Sequence, residues 1–284
     1  MSQPRSIQWV HAGQMTQDGA GVKLSRAFSN REAERMDPFL LLDDFRSNDP
    51  SDYLAGFPWH PHRGIETITY MLSGRVEHRD SMGNQGVIGA GDVQWMTAGS
   101  GIIHQEMPQG DKAGSLGGFQ LWTNLPARLK LTPPKYREIK SAMIPRVPLP
   151  QQGEIRVICG RYGKTVGPVA DIAADPMYLD VHLSAGESVT VPVEKEHTVV
   201  AYVVEGRGRF GAAAREFERR TVVLFNPGKT VAAQAGKAGL RFLLLSGRPL
   251  HEPIAWGGPI VMNTQAELEL AFQEYRDGAF IKHG

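Results

Sequence analysis

The sequence predicts an all-β protein built from two barrel-like domains, and three observations predict it. Short β-type runs recur between turn signals at intervals of about 8 to 12 residues, the rhythm of barrels and sandwiches. Four metal-ligand side chains stand in two i, i+2 pairs, His60-Pro61-His62 and His104-Gln105-Glu106. Two short stretches also echo each other across the chain, at offsets of 132 and 129 residues, as in a duplicated unit.

Taken in order, the residues from His60 to Leu72 alternate. Even positions carry His60, His62, Glu66, Ile68, Tyr70 and Leu72, and odd positions include Arg63, Thr67 and Thr69. This period of two predicts one extended strand whose even face, histidines included, looks inward. Pro61 has no N–H to give a ladder and belongs at a strand start or on an edge. Ser73-Gly74 supplies a turn, Arg75 to Asp80 a second strand and Gly83-Asn84 another turn. Gly91-Asp92 opens a strand through Trp95, and Ala98-Gly99-Ser100-Gly101 breaks it before His104. Extended backbone suits the chemistry, because i and i+2 side chains share one face of a strand and diverge on a helix.

The echoes divide the chain. Ser73-Gly74-Arg75 is matched by Glu205-Gly206-Arg207, and Trp95-Met96-Thr97-Ala98-Gly99 by Leu224-Phe225-Asn226-Pro227-Gly228. Extending the offsets sets Pro192 and Glu194 where His60 and His62 stand, and Ala233 and Ala235 where His104 and Glu106 stand. The second barrel has therefore lost its ligands, and one metal is expected per chain. Prolines at 126, 133, 134, 145, 148 and 150 exclude regular helix and predict an extended connector. The expected division is a metal-binding barrel over residues 1–132, a Pro-rich linker over 133–152 and a ligand-free barrel over 153–284 that ends in a helix. That helix is announced by a Thr264/Glu267 capping box, with Leu268, Ala271, Phe272 and Tyr275 at i, i+3, i+4, i+7 up to Gly278.

Composition narrows the function. The 284 residues carry 31 Lys plus Arg against 30 Asp plus Glu, a formal charge of +1, so no global field draws the chain to nucleic acid or to a membrane. No apolar run approaches the length of a membrane span or a signal peptide. Cys159 is the single cysteine, which forbids an internal disulfide and fits a reducing, cytoplasmic setting; its expected role is that of a small buried hydrophobe. His78, His182, His197 and His251 are read as lacking a partner at chelating spacing and are expected on the surface or hydrogen-bonded in the core. Three imidazoles and a carboxylate gathered in an apolar interior would be costly without a cation.

Asp37-Pro38-Phe39-Leu40, His60-Pro61-His62-Arg63-Gly64-Ile65-Glu66-Thr67, the run from Gln94 to Gly99 and His104-Gln105-Glu106-Met107-Pro108 resemble the pirin family of the cupin superfamily. The likeness continues through Phe119-Gln120-Leu121-Trp122 and Gly247-Arg248-Pro249-Leu250. It implies a bicupin, two β jelly rolls face to face with a short C-terminal helix, and one non-haem Fe2+ in the N-terminal barrel. Nickel, copper, manganese or zinc could bind the same donors. Carried over by position, the implied ligands are His60, His62, His104 and Glu106, with Glu66 the rival carboxylate. The resemblance further implies a dioxygenase that opens a flavonol such as quercetin between its second and third carbons, with dioxygen as co-substrate and Glu106 as general base. Its alternative is a non-enzymatic, redox-sensitive iron protein that binds a transcription factor or a metabolic enzyme.

Overall fold

A computed structural model describes residues 3–283. The chain folds into two compact units, and each is a β barrel. The unit that matters for chemistry comprises Met15–Ala33, Phe39–Ser141 and Leu250–Gly284. Its four-stranded sheet runs in the order Phe57–His62, Ile102–Gln109, Arg75–Asp80, Gln85–Gly89. Its seven-stranded sheet runs Lys135–Ile139, Val93–Thr97, Ile65–Ser73, Gly117–Asn124, Phe39–Asp44, Val22–Phe28, Gln14–Asp18. All adjoining strands with a printed register are antiparallel. Pro61 lies on an edge strand, where its missing N–H costs no ladder bond.

The expected single strand from His60 to Leu72 is two strands in two sheets. Phe57–His62 ends and Ile65–Ser73 begins across Gly64, whose φ is +78° and where a Cβ would lie 2.0 Å from the Val261 carbonyl oxygen. Only glycine fits that corner. The inward parity changes there: Thr69 lines the barrel cavity beside His60 and His62, whereas Glu66 does not.

The second unit joins the described residues up to Gln14 and Glu34–Pro38 to Ala142–Pro249. One nine-stranded sheet wraps a dry core that includes Val189, Val191, Phe210, Phe225, Val231, Ala233, Ala235 and Phe242. Ala233 and Ala235 are buried there, at 4% and 5% exposure. Pro192 and Glu194, by contrast, are exposed. Cross-strand register pairs Ala233 with Val189 and Val231 with Val191, as His104 pairs with His60 and Ile102 with His62. Val189 and Val191 thus hold the two histidine places.

The compact units also depart from the division at 133–152. The strand Ile7–Ala12 pairs with Thr221–Phe225 and belongs to the second barrel. The C-terminal helix, Gln265–Arg276, belongs to the first barrel's unit, where Leu268 and Ala271 pack with Ile260, Met262 and Phe280. Its capping box is present as expected: Glu267 N–H donates to Thr264 Oγ1 at 3.2 Å and Thr264 N–H to Glu267 Oε2 at 2.9 Å. Within the Pro-rich stretch, Lys135–Ile139 pairs with Val93–Thr97 and Arg146–Pro148 with Glu154–Cys159, each strand ending one sheet, and a short 3-10 helix, Ser141–Met143, lies between them. Long-range pairing of the chain ends leaves no local mark in sequence. Among the described residues no helix is long and apolar enough to cross a membrane. Cys159 is buried, as expected.

Candidate metal centre

Three of the four expected ligands converge. One ligand nitrogen from each of His60, His62 and His104 lies within 4.8 Å of the other two. His60 and His62 come from the edge strand, and His104 faces His60 directly from the neighbouring strand Ile102–Gln109. A register shift between His104 and Glu106 follows, so that Glu106 pairs with Phe57.

The tautomers are fixed by partners that can act in only one way. His60 Nδ1 donates to the Pro58 carbonyl at 2.8 Å, and His62 Nδ1 donates to the Pro259 carbonyl at 3.0 Å. Each ring therefore presents its Nε2 lone pair. In the neutral form of both rings the two Nε2 atoms face each other at 3.1 Å without a proton between them. His104 Nε2 is fully buried and has no hydrogen-bond partner. Three unmatched lone pairs aimed at one point are unfavourable unless a cation sits among them. The donor set thus fits a metal, and imidazole suits Zn, Cu, Fe and Ni alike. Burial pushes His62 down to about 3, helped by neighbouring His60, and holds His104 well below the usual imidazole range. Both rings are neutral at pH 7, the form that coordinates.

The carboxylates differ in place. Glu106 is buried, lines the same cavity as His60 and His62, and accepts at Oε1 from the Thr69 hydroxyl at 3.1 Å. It lies outside the group of three whose ligand atoms meet within 4.8 Å. Glu66 takes hydrogen bonds from Thr97 at 2.8 Å and Thr123 at 3.3 Å. Burial raises its pKa, with those hydroxyls opposing. The corner at Gly64 explains why Glu66, once read as sharing the histidine face, is turned to neighbours within its own sheet.

The cavity around the histidines measures about 680 Å³, within the range of small-molecule sites. Val22, Leu24, Leu41, Phe57 and Leu116 give apolar walls, and Trp59 and Trp122 flank the histidine end. Trp122 meets the His62 ring edge-on at 5.0 Å. On the wall Arg26 grips Asp43 through two bonds of 2.9 and 2.7 Å and reaches Asp18 at 2.6 Å. The Leu250–Gly284 segment adds Trp256 and Pro259. Sequence reasoning missed Arg26, Pro259 and His78. Arg26 and Pro259 reach the site only through tertiary pairing, but His78-Arg79-Asp80 carried a signal in its own period-two spacing. The structure places His78 in the core, hydrogen-bonded to Asp80 and facing His104.

The comparisons agree with this geometry. The pirin family model matches residues 21–123, and the model of the pirin C-terminal cupin domain matches residues 178–281. The chain belongs to the pirin family. A pirin-like protein of Caulobacter vibrioides is 45% identical to this pirin over 277 residues, covering 97% of this chain and 99% of the relative. Pirin-1 of Arabidopsis thaliana is 40% identical over 281 residues, covering 97% and 94%. The crystal structure of quercetin 2,3-dioxygenase from Acinetobacter baumannii superposes with a TM-score of 0.91 at 35% identity, covering 98% of each chain. The all-β reading, with two cupin barrels and a short C-terminal helix, is what the pirin shows.

Proposed function

We propose that this pirin is a metal-dependent dioxygenase that opens a flavonol such as quercetin between its second and third carbons. The convergence of one ligand nitrogen from each of His60, His62 and His104, with His60 and His62 lining an apolar cavity, is the observation that carries this reading. The resemblance to a quercetin 2,3-dioxygenase over 98% of both chains supports it. His60, His62 and His104 would hold the ion, Glu106 would be the fourth ligand, and Fe2+ is the metal we favour. When bound, such a metal supplies Lewis acidity and open positions for a substrate oxygen and for dioxygen.

The chain's own residues supply the rest. The apolar walls take a flat aromatic body and exclude water, which strengthens every polar contact inside. Trp122 offers a ring face beside His62, and its indole N–H is buried without a partner. Arg26 offers cationic N–H groups on the wall to a phenolic or carbonyl oxygen. Glu106, held by Thr69, accepts the proton of the flavonol hydroxyl at a carboxylate oxygen.

The test is oxygen uptake by anaerobically reconstituted protein, loaded in turn with Fe2+, Ni2+, Co2+ or Mn2+ and given quercetin. Uptake stoichiometric with quercetin loss, abolished in His62→Ala, is expected. Silence with every metal would overturn the reading. In an active preparation, Arg26→Met should raise KM about tenfold and leave kcat within a few-fold, since a lost charge-assisted hydrogen bond is worth roughly 1.5–3 kcal/mol of binding.

A further inference from the structure

Behind His104 lies a second polar group that the proposed chemistry does not use. His78, Asp80 and Gln94 are buried, with exposures of 1%, 6% and 0%. They sit on Arg75–Asp80 and Val93–Thr97, and His78 pairs across the ladder with Glu106 while Asp80 pairs with His104. His78 Nε2 lies 3.3 Å from Asp80 Oδ2, and His78 Nδ1 lies 3.4 Å from His104 Nδ1. Gln94 Nε2 approaches the same His78 Nδ1 at 3.3 Å. The His78 ring is stacked on Tyr136 at 4.7 Å and 23°.

Hydrogen-bond directions through this group are determined from its carboxylate end. An ionised carboxylate only accepts, so His78 Nε2 donates to Asp80. Against burial, which raises its pKa, hydrogen bonds from His78, Asn84 and Met82 keep Asp80 low and ionised. A neutral imidazole that donates at Nε2 carries its one lone pair on Nδ1, the nitrogen that faces His104. His104 Nδ1 must then carry the proton that it donates to His78, and the His104 lone pair falls on Nε2, the buried atom with no partner. For His60 and His62 a backbone carbonyl does this work. For His104 a side-chain chain, Asp80 to His78, does it.

We propose that Asp80 and His78 are positioning residues that fix the tautomer and orientation of His104 and thereby set the strength of metal binding in the first barrel. Orienting partners of metal-bound histidines carry about 10- to 100-fold in affinity. The asymmetry matters, because a carbonyl fixes a tautomer with a dipole, whereas an ionised carboxylate acting through an imidazole adds negative charge behind one ligand only. Glutamine at position 78 could replace the histidine in kind, with an amide oxygen to accept from His104 and an amide N–H to give to Asp80. Phenylalanine could keep the stack on Tyr136 but neither hydrogen bond.

This inference rests on the histidine triad being the metal site, and one experiment separates the two. Full-length protein is stripped with a chelator and titrated with Co2+, comparing the parent, His62→Ala, His78→Phe and His78→Gln, with thermal unfolding of each apo form as the check on folding. The parent should bind, His62→Ala should not, His78→Phe should bind about 10- to 100-fold more weakly, and His78→Gln should recover to within a few-fold. Proton spectra of the Co2+-loaded protein should show shifted, exchangeable ring N–H signals from three ligands, with that of His104 lost or rapidly exchanging in His78→Phe and restored in His78→Gln. A parent that binds no better than His62→Ala would remove the triad reading and this one with it. A tightly binding parent matched by a folded His78→Phe with all three signals intact, or a His78→Gln no better than His78→Phe, would overturn the positioning role alone.

Discussion

The two barrels solve one construction problem in opposite ways. Each pairs two antiparallel strands in the same register: His60 and His62 face His104 and Ile102 in one, Val189 and Val191 face Ala233 and Val231 in the other. A constant offset of 129 residues relates all four positions. In the first barrel two of these places, His60 and His62, open onto a cavity of about 680 Å³. In the second they are filled by a dry core in which Phe210 meets Phe225 and Phe242 edge-to-face at 5.9 and 5.1 Å. The strand ladder is therefore indifferent to function. What differs is whether a few inward positions carry imidazoles with oriented Nδ1 partners or branched aliphatic groups that pack to density.

The first test removes the difference from the polar side. His104→Ala should reduce Co2+ affinity at least about 100-fold, since a missing ligand costs more than a missing orienting partner, and equilibrium titration of the apo protein measures it. The carboxylates sharpen the assignment: Glu106→Gln should weaken Co2+ binding about tenfold, whereas Glu66→Gln should leave it unchanged within a factor of two. Equal losses from both would return Glu66 to contention.

Adding polarity to the dry side should fail. A Val189→His, Val191→His pair places two imidazoles in the second core without a Pro58 or Pro259 carbonyl to orient them. It should cost about 2–6 kcal/mol in urea unfolding, at about 1–3 kcal/mol for each buried unpaired imidazole, and add no second metal equivalent by elemental analysis. Tight binding of two ions would show that side chains alone suffice and break the comparison.

A last test concerns the first barrel's frame. Lys130 is buried and gives its three protons to Gly64 O at 2.9 Å, Asn124 Oδ1 at 2.7 Å and Val261 O at 2.8 Å, tying the corner after His62 to the Leu250–Gly284 segment. Burial pushes its pKa down to about 7 from 10.5, with Glu252 and Glu267 opposing. Between those values the unfolded chain holds more protons than the folded one, so stability rises with pH from about 7 toward 10.5. The cost of the buried charge is fully present below pH 7. Urea unfolding at pH 7 and 9.5 should show this rise in the parent and a flatter dependence in Lys130→Met.

Some of this was plain in the residues and some was not. The turn-punctuated runs, the edge proline at 61 and the Thr264/Glu267 cap needed only local rules, and they stand in the structure. Glu66 leaves the histidine face because alternation does not run through Gly64, where the backbone passes from one sheet to another. Pro192 was set in a histidine's place because an offset measured at a turn was extended past an insertion, whereas strand register preserves the true correspondence at Val189. For His78 the Asp80 partner is local at i, i+2, whereas Gln94 and His104 are distant in sequence and meet it only through strand pairing.

By itself the sequence determined the strand rhythm, the second barrel's want of donors and the three histidines, for period two and side-chain chemistry are written residue by residue. Tertiary structure alone decided that residues near the end of the chain supply the Pro259 carbonyl behind His62 and that Asp80 reaches His104 through His78. Hydrogen bonds between segments far apart along the chain depend on how strands are paired in space, and no local pattern encodes that pairing.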